Sequence, residues 1–431
     1  MEIKRNRGRI PALVISVTSA LVLFLPVLAF AVPARFAVGP DSNQSLLLKS
    51  IQSAQNELLI NIYQIDTPAV VDAIIEKVRQ GLAVNLLVEA SPVGGQGHSE
   101  KQALNEIKRA MLYRGSNHQA IYMMGVQSRD EHRRFRFDHA KYVVIDGRRA
   151  LISSENFTST GHTESGKIGN RGWDTVIEDS SLAQKLTDLF HSDSDPQAGD
   201  IYEYETTESV ATQFRNRPSQ LREVQTFREK SGEVRETTLV TSPNSLDGIT
   251  EVIRSARHRL RVEEMSLPLN WRDSQTSFQS PIVTELVRAA DRGVQVQVLL
   301  NDEQVFNHHS QHNDANEARG NAQTVAYLKR IAREQNLPLE ARIIDVNATQ
   351  ITYIHNKGII VDDQAVFVSS INGTQNSVKN NREVAVLLQS RDAAAYFSPV
   401  FDFDWSHSGP NADDLMGAYH LLNLFNLRLG V

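Results

Sequence analysis

Two stretches decide the reading: Asp138-His139-Ala140-Lys141-Tyr142-Val143-Val144-Ile145-Asp146 and Ile354-His355-Asn356-Lys357-Gly358-Ile359-Ile360-Val361-Asp362. In each, lysine follows histidine by two positions and aspartate follows lysine by five. A Ser-Ser-x-Asn tetrad trails each at the same offset, Ser153-Ser154-Glu155-Asn156 and Ser369-Ser370-Ile371-Asn372, and an acidic residue comes later, Asp174 or Glu383. Alternate residues of a strand share a face, so His139 projects with Lys141 and His355 with Lys357, while the apolar runs bury the rest. One such motif is a common polar strand end. Two with matched offsets read as a duplicated site.

Packed face to face, the two units gather two imidazoles, two ammonium groups and the amides of Asn156 and Asn372. That set suits a tetrahedral anion: lysine supplies compact positive charge, and amides and hydroxyls donate to non-bridging oxygens. In a dry cleft such donors act most strongly where charge grows in a transition state.

The duplication extends outward. Phe36-Ala-Val-Gly-Pro-Asp-Ser42 matches Leu239-Val-Thr-Ser-Pro-Asn-Ser245. Each copy continues with a helix, a strand, a helix ending at glycine (Gly81, Gly293), the strand Val84–Val88 or Val294–Leu300, a polar loop, a further helix and a short strand before the motif. Glycine suits a left-handed helix C-cap. Strands alternating with helices predict α/β architecture, with mostly parallel sheets covered by helices on both faces, once in each half. The expected divisions are an N-terminal export segment over 1–31, a first lobe over 35–192, a polar linker over 193–236, a second lobe over 237–408 and a helical tail over 409–431.

These motifs resemble the signature of the phospholipase D superfamily, over about residues 35–407. The resemblance implies two similar α/β/α sandwich lobes related by a pseudo-twofold axis, and a two-step displacement that needs no metal or other cofactor. It implies His139 as the nucleophile that becomes a phosphohistidine, His355 as general acid and base, and Lys141 and Lys357 as their cationic partners. Imidazole suits both roles because its reference pKa is about 6.5. Asp174 and Glu383 stand where the family places carboxylates that orient the histidines. Asp146 and Asp362 read as structural strand-end acids. Ser154 and Ser370 fall where the family has the serine of Gly-Ser, and are expected to bind phosphate with Asn156 and Asn372. The substrate expected is a phospholipid, hydrolysed or transferred to an alcohol at a membrane surface by a monomer. The alternatives are an exported nuclease or other phosphodiesterase, and an inactive binding protein.

Composition bears on that choice. A formal net charge of −6 disfavours broad nucleic-acid binding, which needs a basic face. Lys4, Arg5, Arg7 and Arg9 precede an apolar run from Ile10 to Val32 that contains Ala29-Phe30-Ala31, the pattern of a cleavable export signal. An uncleaved anchor of the same length is the other reading. Either leaves the bulk of the chain outside the cytoplasm, periplasmic or secreted. Cysteine is absent, so neither disulfides nor thiolates contribute. His308, His309 and His312 lie in a polar loop read as solvated rather than metal-binding, at the sheet edge where α/β proteins place ligands. Leu415, Met416, Tyr419, Leu422 and Phe425 form a helical apolar stripe that either docks on the protein or meets lipid.

Overall fold

A computed structural model of the chain describes residues 31–115, 118–127, 132–206, 220–272, 276–305 and 320–409. Residues 1–30 of the expected export segment, the cluster His308, His309 and His312, and nearly all of the expected tail therefore lie outside the described residues. Among those described, no helix is long and apolar enough to cross a membrane.

The first half runs β1 (Val32–Val38), α1 (Asn43–Gln52), β2 (Glu57–Ile62), α2 (Pro68–Gln80), β3 (Ala83–Glu89), α3 (His98–Arg114), β4 (Gln119–Met124), β5 (Lys141–Ile145), β6 (Arg149–Ser153), β7 (Trp173–Ile177), α4 (Ser180–Asp193), β8 (Ile201–Glu203) and β9 (Lys230–Val234). The second half runs β10 (Glu236–Ser242), α5 (Leu246–Ser255), β11 (Arg259–Glu264), β12 (Asn270–Arg272), β13 (Ser277–Gln279), α6 (Pro281–Asp291), β14 (Gln295–Leu300), α7 (Asn321–Gln335), β15 (Leu339–Ile343), α8 (Val346–Thr349), β16 (Lys357–Val361), β17 (Ala365–Ser369), α9 (Gln375–Lys379), β18 (Glu383–Gln389) and α10 (Arg391–Ser406).

Proline at the start of α2 and α6 fits a position whose N–H has no helical partner. Gly81 and Gly293 close those helices in the left-handed region, at φ 87° and 88°. The two halves build one strand order. The first sheet is β8-β4-β3-β2-β5-β6-β7-β1-β9, and the second is β10-β18-β17-β16-β11-β14-β15, so seven strands correspond.

The α/β class and the two similar lobes are as expected, but the sheets are mixed rather than mostly parallel. Among the strands of the described residues, only β2–β3, β3–β4, β11–β14 and β14–β15 pair in parallel. The strand–helix–strand rule governs those connections. It does not reach β5–β6 or β16–β17, which are joined by tight turns carrying two left-handed residues each: Asp146 and Gly147, Asp362 and Asp363. Nor are residues 193–236 a plain linker, because β8 and β9 extend the first sheet at both edges.

Three apolar layers result. Helices α1–α3 cover the outer face of the first sheet, and α5–α7 that of the second. Between the sheets lies one shared core with Tyr142, Trp173, Phe190, Phe397 and Phe401. Dyad-related links stitch the lobes. His139 N–H donates to Arg382 O (2.8 Å), and His355 N–H to Arg171 O (2.9 Å). The side chains of those arginines cross too: Arg171 binds Asp404 through Nε and Nη2 (2.6 and 3.0 Å), and Arg382 Nη2 binds Asp193 Oδ1 (2.9 Å). Charged pairs so buried need such fork geometry to offset their lost hydration.

Candidate active site

Lys141 opens β5, Ser153 closes β6 and Trp173 opens β7, while Lys357, Ser369 and Glu383 do the same for β16, β17 and β18. Each motif therefore collects at one sheet edge, and the two edges meet at the stitched interface. The imidazoles of His139 and His355 face each other with ring centroids 6.5 Å apart. Lys141 Nζ donates to His139 O at 2.7 Å, and Lys357 Nζ bonds His355 O in the same way. Both lysines are essentially inaccessible, at 0% and 1% exposure. Tyr63 lies 4.7 Å from the His139 ring and Tyr353 5.8 Å from that of His355.

Each histidine takes its Nδ1 partner from the opposite lobe. His139 Nδ1 bonds Glu383 Oε2 at 2.9 Å, and Glu383 is held by Ser370 Oγ (2.7 Å) and Asn381 Nδ2 (3.0 Å). His355 Nδ1 lies 3.1 Å from Glu155 Oε2, an ion-pair distance off the line of a good hydrogen bond. Each ring thus turns Nδ1 toward a carboxylate of the other lobe and presents Nε2 on its far edge.

The expected partner, Asp174, is not there. It bonds His162 Nε2 at 2.8 Å and Ser153 Oγ at 2.7 Å. The register explains why: Trp173 N–H donates to Ser154 Oγ as Val384 N–H does to Ser370 Oγ, so Gly172, not Asp174, corresponds to Glu383. Asp174 keeps the same strand face but sits one step further from the interface. A Cβ at Gly172 would lie 2.3 Å from Glu155 Cγ and Oε1. The carboxylate of the first lobe has thus moved from the strand start to the turn. Its only sequence signal is an acid at the variable position of Ser-Ser-x-Asn, where the second copy has Ile371.

The second serines also differ from expectation. Ser370 accepts from Val384 N–H (3.0 Å) and gives its one proton to Glu383, while Ser154 accepts from Trp173 N–H (2.9 Å). In this structure both hydroxyls brace the start of the following strand, and that of Ser370 also holds Glu383. The amides differ from them: Asn372 is 1% exposed with neither amide atom bonded, and Asn156 reaches Gln64 Oε1 only at 3.5 Å. Asp146 and Asp362 point away from the pocket. Each accepts three backbone N–H groups, of residues 55–57 and 257–259, which outweigh partial burial and hold both carboxyls below their ordinary pKa. Arg133 and Arg134, ahead of His139, are taken up by Glu89 (2.6 Å) and Asp200 (2.7 Å).

Burial dominates the electrostatics. It lowers Lys141 to about 7, with Lys357 adding repulsion and Glu383 opposing it. Burial and then Lys357 push His355 down to about 3, and burial with both lysines holds His139 well below its ordinary value. Glu383 rises to about 7 through burial, against the pull of Lys141. Both imidazoles are therefore neutral in the protein alone, chiefly through burial, and an anion beside the lysines would relieve the repulsion that adds to it.

The chain belongs to the phospholipase D superfamily, a class of phosphodiester-acting enzymes. Within it, residues 47–194 and 249–405 match the family described as cardiolipin synthase, PLD-like domain. Among solved structures, phosphatidylserine synthase of Haemophilus influenzae has this fold, covering 92% of this chain and 96% of its own at 13% identity and a TM-score of 0.63. Polyphosphate kinase of Porphyromonas gingivalis covers 86% of this chain and 46% of its own, at 14% identity and a TM-score of 0.47. Nuc, a phospholipase D family member from Salmonella typhimurium, covers 40% and 98%, at 19% identity and a TM-score of 0.32. No curated protein sequence matches the chain.

Proposed function

We propose that this is an exported phosphodiesterase that cleaves the distal phosphodiester of phospholipids through a phosphohistidine on His139. The observation that carries the reading is the pair of imidazoles with centroids 6.5 Å apart, each with Nδ1 turned to a carboxylate from the other lobe. His139 Nε2 attacks phosphorus as the bond to the leaving oxygen breaks, and His355, protonated once the substrate anion is bound, gives that oxygen its proton. Neutral His355 then takes a proton from water, or from an acceptor alcohol, whose oxygen displaces the His139 nitrogen. Covalent catalysis of this kind splits one hard step into two easier ones. Lys141, Lys357, the unbonded amide of Asn372 and the amide of Asn156, which Gln64 Oε1 meets only at 3.5 Å, are the donors for the non-bridging oxygens.

The basic start and apolar run of residues 1–31 support export, and the acidic chain supports a lipid over a nucleic acid. The test incubates the full chain with phosphatidylcholine vesicles and, separately, with plasmid DNA, both in EDTA. Choline release without DNA cutting is expected. DNA cutting alone would make the protein a nuclease.

A further inference from the structure

The turn Ser153–Asn156 carries two groups that serve the pocket, the Glu155 carboxylate and the Asn156 amide, and a closed ring of bonds clamps it. Ser153 Oγ accepts from Glu155 N–H (2.8 Å) and donates to Asp174 Oδ1 (2.7 Å). Asp174 Oδ2 lies 2.8 Å from His162 Nε2, and His162 Nδ1 lies 2.9 Å from Asn156 O. Both partners of that ring are acceptors, so both ring nitrogens carry protons. Burial opposes this charge, but the Asp174 carboxylate, the Asn156 carbonyl and Glu155 overcome it and raise the pKa of His162. Helix α1 fixes the same segment: Asn43 Nδ2 bonds Gly161 O (2.7 Å) and Gln44 Nε2 bonds His162 O (2.8 Å).

The second lobe has no counterpart of the acid. Ser369 Oγ accepts from Ile371 N–H, but Ala385 stands opposite Ser369 where Asp174 stands opposite Ser153. The difference follows the carboxylate. Glu383 sits on a strand, in register with Ser242 of β10, and is bonded by Ser370 and Asn381. Glu155 sits on a turn, with Asn170 Nδ2 on Oε2 at 3.2 Å and its other oxygen unbonded. A carboxylate on a turn needs its turn held.

We propose that His162 and Asp174 are positioning residues: their ion pair holds the 153–156 turn so that Glu155 reaches across the interface to His355. The inference rests on the reaction proposed above and acts through the imidazole assigned as acid and base; Asn156, on the same turn, keeps a separate anchor, because Phe157 N–H donates to Gln64 O at 3.0 Å. Nitrophenolate leaves without a proton, so the first step with bis(p-nitrophenyl) phosphate needs little from His355, whereas release of the phosphohistidine needs it as base.

In His162→Ala and Asp174→Asn, a nitrophenolate burst close to the enzyme concentration is expected, followed by turnover about tenfold to a hundredfold slower than in the unmodified protein. Choline release from phosphatidylcholine is expected to fall at least as far, because that leaving group needs the proton. Asp174→Asn keeps the shape of the clamp and decides the matter if His162→Ala lowers the folded fraction. Turnover within about twofold of the unmodified protein, or burst and steady rates falling together, would overturn the proposal. If the unmodified protein releases no nitrophenolate, the phosphodiesterase reading itself fails, and that is seen before any variant is made.

Discussion

Returning the first lobe's carboxylate to the strand is a direct test of how the site is built. Glu155→Ile removes the acid beside His355. By analogy with other carboxylate-supported histidines, it is expected to cost at least about a hundredfold in kcat/KM, roughly 2.7 kcal/mol of barrier. Gly172→Glu alone places a Cβ 2.3 Å from Glu155 Cγ and sets two carboxyls in one buried site. Overpacking alone costs roughly 1–3 kcal/mol of stability, and the two acids must then share a proton.

The double variant removes both faults. Ile371 shows that isoleucine is accommodated in the equivalent turn, 3% exposed. The donors that a glutamate at 172 requires are already present. Asn170 matches Asn381, and Ser154 matches Ser370 in accepting the following strand's N–H. The two changes are therefore expected to compensate, with a favourable coupling of about 2 kcal/mol in a double-mutant cycle. Steady-state hydrolysis of bis(p-nitrophenyl) phosphate and urea midpoints measure it. A double variant that folds normally yet is no more active than Glu155→Ile would show that the carboxylate's place is not interchangeable, and the register argument would fall.

Other outcomes follow from the same geometry. His139→Ala and His355→Ala are each expected to remove nearly all turnover; either retaining more than about a tenth, a barrier change under roughly 1.4 kcal/mol, would mean that one imidazole serves both steps. Gly358→Ala would put a Cβ 2.5 Å from Trp173 Cζ3 across the interface, so the urea midpoint is expected to fall by the equivalent of roughly 1–3 kcal/mol. The buried His162, faced by Asp174 and Glu155, has its pKa raised above the unfolded value, so its contribution is complete below pH about 6.5 and lost as pH rises through the folded value. His162→Gln is then expected to flatten the alkaline fall of the thermal midpoint, and an unchanged pH profile would deny the imidazolium.

Much of this was open to reading in the chain. The paired His-x-Lys motifs required two lobes with a common site, because neither strand end alone supplies two imidazoles. Gly81 and Gly293 marked helix ends because left-handed backbone is cheap only there. What stayed hidden depended on contacts between distant segments. The strand–helix–strand alternation that makes β2, β3 and β4 parallel says nothing about hairpins, so it does not reveal the antiparallel majority. Residues 193–236 looked polar enough for a linker because β8 and β9 are edge strands, half solvated and short. Asp174 follows its motif in the same order as Glu383, so order alone places it beside the histidines; only the ladder shows that Gly172 stands in the place of Glu383.

The cross-lobe pattern explains why so much of the site lies beyond single-lobe logic. Each motif histidine receives its main-chain anchor from an arginine of the other lobe and its Nδ1 partner from a carboxylate of the other lobe. That same arginine then returns across the interface to an aspartate on α4 or α10. Opening the interface would therefore remove, in one motion, the tautomer control, the backbone placement and the dry surroundings that set the basicity of Lys141 and both imidazoles. In this protein pocket assembly and lobe packing are one equilibrium. Duplication tolerates unequal solutions within it, a carboxylate on a strand in one half and on a clamped turn in the other, because each has only to deliver an oxygen to the facing ring.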